Sequence, residues 1–117
     1  MYNIVMRLFK KKAIDRDELF ALRWKRPDVI SVLIEKDENG GYFAKITNFN
    51  GDNVVTQAQT GRELVEMVNE AMYDYLDIPQ QYREYLGYFM PPIDVRDEFG
   101  AEIPAKYLHK TMRLVGA

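Results

Sequence analysis

The sequence has no cysteine, one histidine and one tryptophan in 117 residues. Without cysteine there is no disulfide, no thiolate metal ligand and no thiol nucleophile. With His109 as the single imidazole, a serine or threonine nucleophile would have to borrow its base from that residue or from a lysine. His109 sits between Leu108 and Lys110 in an irregular tail, and is not read as catalytic. No G-x-S-x-G elbow and no phosphate-cradling glycine loop occurs. No uncharged apolar run approaches the ~18 residues of a membrane span. The opening MYNIVMRLFKKK puts its charges after its apolar residues, the reverse of a secretory signal. A metal site would need carboxylates, and Asp37, Glu38, Asp94, Asp97 and Glu98 show no recognised ligand spacing. The expectation is a cytoplasmic single-domain protein with no catalytic residue, no cofactor, no metal and no membrane segment.

What is present is 47% apolar and 29% charged, the composition of a globular chain. Charge is unevenly spread. Residues 1–26 carry eight basic and three acidic residues, a net of +5; the remainder carries eight basic and fifteen acidic residues, a net of −7. Arg7 to Lys12 and Arg23 to Arg26 form the basic patches, with Trp24 inside the second. The acidic body argues against a nucleic-acid face. Trp24 is expected to anchor an N-terminal helix onto that body.

The first 27 residues read as an extension that is helical in part. MYNIVMRLF fits helix or strand spacing equally. DRDELFALRWKR reads as a helix, capped by Asp15 or Asp17, acidic in its first turn, basic in its last, and stopped at Pro27. Residues 28–117 read as an α+β domain. VISVLIEK, Val29 to Lys36, is apolar on both faces up to Leu33, as in a central strand. Asp37 to Gly41 form a hairpin turn whose two glycines supply positive φ angles. Tyr42 to Thr47 return, and residues 54–59 add a third strand of an antiparallel meander.

TGRELVEMVNEAMYDYLDIP is the clearest helix. Thr60 and Glu63 form a capping box. Leu64, Val68, Ala71 and Tyr75 make the apolar stripe, widened by Met67, Met72 and Leu76. Glu63, Glu66, Glu70 and Asp74 lie opposite. The tail is expected to be irregular. QQYREYL suggests one or two helical turns ending at Gly87. IDVRDEFGAEIP reads as a short strand or loop, with Asp94, Asp97 and Glu98 a solvated acidic turn. KYLHKTMRLV reads as a strand or a short helix.

Taken in order, VLIEKDENGGYFAKI, NFNG, VTQAQT and RELVEMVNEAMYDYL resemble the HicB family of prokaryotic antitoxins over about residues 32–76. Asp37, Glu38, Gly40, Gly41 and Tyr42 match the family's acidic turn; Gly51, Thr56 and Thr60 match its loop and cap. Thr47, Asn50 and Asp52 replace the prolines and cysteine common in its middle loop. The resemblance implies a degraded RNase H-like fold and a homodimer or higher homo-oligomer. It also implies binding to a small basic RNA-cleaving toxin of the HicA type, whose active site the antitoxin occludes. Glu35, Asp37, Glu38 and Tyr42 are the residues expected at that contact. No C-terminal DNA-binding module is expected, because Gly87, Pro91, Pro92, Gly100 and Pro104 break residues 80–117 too often for two consecutive helices. The competing readings are an RNase H-like oligomeric interaction module without a toxin, and a carboxylate–metal nuclease using Glu35.

Overall fold

The computed structural model describes residues 14–49 and 52–116. The opening MYNIVMRLF, the basic run Arg7 to Lys12 and Gly51 lie outside the described residues. Helix α1 spans Arg16–Lys25. Asp15 caps it, its carboxylate accepting from the backbone N–H of Asp17 and of Glu18. Strands β1 (Val29–Lys36), β2 (Tyr42–Ile46) and β3 (Val54–Ala58) form the expected meander. Helix α2 (Gly61–Tyr75) follows, with the Thr60 hydroxyl accepting from Glu63 N at 3.1 Å.

The tail is more regular than expected. It contains α3 (Gln80–Leu86), β4 (Phe89–Met90), α4 (Ile93–Arg96), a 3₁₀ turn at Ala105–Tyr107 and β5 (Lys110–Gly116). Gly87, at φ 74°, ends α3 where expected. IDVRDEFGAEIP is a one-turn helix running into loop. KYLHKTMRLV yields a strand, and so the sheet has five strands in the order β3-β2-β1-β5-β4. All its pairings are antiparallel. The reason lies in β1. Its apolar residues on both faces are those of a central strand, and β2 takes only one of its two edges. β5 takes the other, from Val29 opposite Val115 to Ile34 opposite Lys110.

The two faces of the sheet differ. Ile30, Val32, Ile34, Tyr42, Ala44, Ile46 and Leu114 are buried in one core, to which α2 contributes Leu64, Val68 and Met72. The core extends into the tail through Tyr82, Leu86, Phe89, Phe99 and Ile103. Burying each such side chain is worth roughly 1.5–3 kcal/mol before the entropy cost. On the opposite face, Val29, Ser31, Leu33, Phe43 and Lys45 are only half-covered.

α1 lies against α3 through polar contacts. The Tyr82 hydroxyl accepts from Asp15 N at 3.0 Å and donates to Glu18 at 2.9 Å. Trp24 does not anchor the helix: it is 78% exposed and meets Phe20 edge-on at 6.1 Å. Leu19 and Leu22 take that role, because the helix turns its 19/22 side inward and its 20/24 side outward. Beyond α1, Arg26 lays its guanidinium over the Phe89 ring, 4.5 Å from the centroid. Its Nε and Nη2 are buried without a hydrogen-bond partner among the described residues.

The hairpin glycines are not equivalent. Gly40 (φ 92°) faces open space. Gly41 (φ 82°) lies so close to β3 that a Cβ would meet the Ala58 carbonyl oxygen at 2.6 Å. Gly40→Ala is therefore expected to cost about 1 kcal/mol, the left-handed penalty alone. Gly41→Ala is expected to cost about 3 kcal/mol, with strand displacement added. Urea denaturation of the two variants checks the difference.

Candidate functional site

The residues expected at a partner contact divide in the structure. Asp37 is spent on the turn: its N–H donates to Gly41 O at 3.0 Å, its carbonyl accepts from Gly40 N at 3.1 Å, and its carboxylate accepts from Asn39 N at 3.3 Å. Glu38 is exposed at the hairpin tip, and Glu35 is exposed near the end of β1, opposite Phe43. Tyr42 does not join them. Strand alternation turns it into the core, where it is 5% exposed and its hydroxyl accepts from Ile103 N at 2.9 Å. It fixes the tail to the sheet.

Glu63, Glu66, Glu70 and Asp74 are exposed along one side of α2. Helical spacing places them in a row. Because β3 runs from Ala58 into the Thr60 cap, and Ala58 pairs with Tyr42, the first turn of α2 and the hairpin tip share one end of the sheet. The two segments are neighbours, with the exposed Lys36 and Arg62 interspersed among their acids; among the described residues, Asp74 is paired with Arg83 at 2.8 Å.

A groove of about 830 Å³ runs beside this row, between α2, α3 and the segment 88–100. Arg62, Glu66, Glu70, Arg83, Arg96 and Asp97 bring charge to its lining, while Val65, Tyr73, Met90 and Phe99 are its apolar walls. Sequence reasoning missed it, because three separate segments build it. One signal was present: Asn69 interrupts the apolar arc of α2. Asn69 is 2% exposed, and its amide donates to Val65 O at 2.8 Å and Phe89 O at 2.9 Å while its oxygen accepts from Phe89 N. That side chain acts as a strand partner for β4. The Tyr73 hydroxyl donates to Gly87 O nearby, and burial raises its pKa.

Glu98, read as part of a solvated turn, is held in place. It accepts from Lys106 and, at 2.9 Å, from the Tyr107 hydroxyl. These bonds, Lys106 first, hold its carboxyl below the usual range, and burial together with the Glu98 bond raises Tyr107. His109 is exposed at a turn (φ 61°), its N–H donating to Ile34 O at 2.7 Å where β5 begins. Among the described residues, no three or more His, Asp or Glu side chains gather as a metal site. No helix among them is long and apolar enough to cross a membrane.

The fold and surface define an α+β protein with a curled five-stranded antiparallel sheet, one helix-covered face and an acidic end. A UPF0150 protein from Archaeoglobus fulgidus is 37% identical over 59 residues, covering 49% of this chain and 83% of that protein. The chain belongs to the UPF0150 family. No family model matches it, and no solved structure matches it.

Two measurements test these assignments. Asn69→Ala leaves both backbone groups of Phe89 without their partner and is expected to cost about 2–4 kcal/mol in urea denaturation. The Glu98 bonds stabilise the fold above the ordinary glutamate pKa near 4.5, and that contribution fades as pH falls through the lowered folded value. The stability gap between wild type and Glu98→Gln is thus expected to shrink on acidification from about pH 7 to about pH 3.

Proposed function

We propose that this chain is a HicB-like antitoxin that binds a small basic RNA-cleaving toxin of the HicA type and covers its active site. Family membership supports this reading, since UPF0150 is the family of HicB-like proteins. The observation that carries it is the acidic excess at one end of the sheet: Glu38 at the hairpin tip and Glu63 in the first turn of α2, with Glu66 and Glu70 following along the helix and Glu35 at the end of β1 on the other face of the sheet. A basic partner is drawn to such a surface, and like-charged partners are repelled. The groove beside the row supplies apolar walls to desolvate an inserted side chain.

The chemistry in this reading belongs to the toxin. The antitoxin supplies a rigid surface and a charge pattern, and inhibition follows from exclusion of RNA. A competing reading is an interaction module that assembles with itself and has no toxin.

Co-purification with a HicA-type toxin encoded beside it separates the two. The antitoxin reading predicts a stoichiometric complex in which RNA cleavage is blocked. Glu35→Lys with Glu38→Lys, and Glu66→Lys with Glu70→Lys, are each expected to weaken that complex about tenfold or more, with a smaller salt dependence. Failure of the toxin to bind at low salt would overturn the reading.

A further inference from the structure

The outward side of α1 takes no part in holding the fold together. Leu19 and Leu22 face the core. On the other side, Arg16, Phe20, Arg23 and Trp24 fall within about 100° of one another around the helix axis. All four are exposed, Phe20 at 64% and Trp24 at 78%. The two rings meet edge-on with their planes 70° apart, which leaves ring faces open to solvent. Arg23 also reaches across to α3, donating to the Tyr85 carbonyl at 3.4 Å.

The charge around these rings is mainly basic. Among the described residues, neither Arg16 nor Arg23 is paired with an acid. Two of the three acids at this end of the helix are engaged elsewhere: Asp15 is the cap, and Glu18 accepts from Tyr82. Asp17 is the one exposed acid on the outward side. Residues 1–13, just ahead in the chain, add four basic residues and no acid.

We propose that this face of α1 binds single-stranded nucleic acid, with Phe20 and Trp24 stacking on unpaired bases and Arg16 and Arg23 contacting phosphates. Single strands are held by that combination of ring on base and cation on phosphate. Arg16, Phe20 and Trp24 follow one line, each about 6 Å further along the helix. Charge decides between occupants. Residues 1–13 are themselves basic and are repelled by the two arginines. A second copy meeting this face through its own would set those arginines against their mates. An acidic protein would neutralise them, but a protein interface needs an apolar core, and this side offers only the two rings and Ala21. A membrane needs a broad apolar face for the same reason. Stacking needs no more than a ring. The acids of α2 repel the strand, which confines it to α1. The proposal does not rest on the toxin reading.

Fluorescence anisotropy of a labelled single strand of about ten nucleotides, titrated with the full chain, tests it. RNA and DNA of one sequence form separate arms. Wild type is expected to bind at low salt, and to bind the same sequence more weakly once it is closed into a duplex. Phe20→Ala with Trp24→Ala is expected to weaken binding about tenfold or more, with an unchanged circular dichroism spectrum. Arg16→Ala with Arg23→Ala is expected to flatten the slope of log affinity against log salt by about 1.4, at about 0.7 per phosphate contact. Asp17→Asn is expected to tighten binding. Binding of either strand supports the proposal, and the ratio of the two arms says which sugar is preferred. No binding of either strand, equal binding of base-free polyphosphate, or an alanine pair at 20 and 24 that binds like wild type would each overturn it. So would binding to phosphatidylglycerol vesicles without binding to the strands.

Discussion

The pairing of β1 with β5 is the constraint on which the rest of the structure hangs. β1 is the longest strand and the most apolar, and with β2 alone it would present a long hydrophobic edge to solvent. β5 closes that edge with six residue pairs brought from the far end of the described chain. Everything between α2 and β5 is the path the backbone takes to get there. α3, β4 and α4 are laid over one side of α2 on that path, and the groove is the space left where they cross it. Asn69 and Tyr42 hold the path down at two points, through Phe89 and Ile103.

Much of this was legible in the sequence, and the division follows the range of the determining interactions. The meander, the double-glycine turn and α2 are set by local features: strand alternation, positive-φ positions and the Thr60 cap. Those could be read directly. β5 could not, because KTMRLVG has apolar spacing that suits a helix as well as a strand, and only the vacant side of β1 decides. Trp24 shows the converse failure. A large aromatic side chain was expected inside, yet Leu19 and Leu22 already fill the inward side of α1. Of the expected contact residues, Glu38 is exposed at the tip and Glu35 near the end of β1. Asp37 went to the turn and Tyr42 to the core, for reasons of backbone geometry that a list of residue types does not contain.

The molecule separates its surfaces by charge. The acidic end gathers the hairpin tip and the row on α2, while the β3 edge is uncharged along its whole length. A surface of one sign attracts by long-range steering and is sensitive to salt. An uncharged strand edge recognises by backbone hydrogen bonds at contact range and is sensitive to register.

The exposure of Trp24 has a spectroscopic consequence. As the sole indole in the chain, 78% exposed on α1, it emits from a watery environment in the folded state and from much the same environment in the unfolded one. Its fluorescence is therefore nearly blind to the core. It reports instead on whatever approaches α1, and it does so without any label.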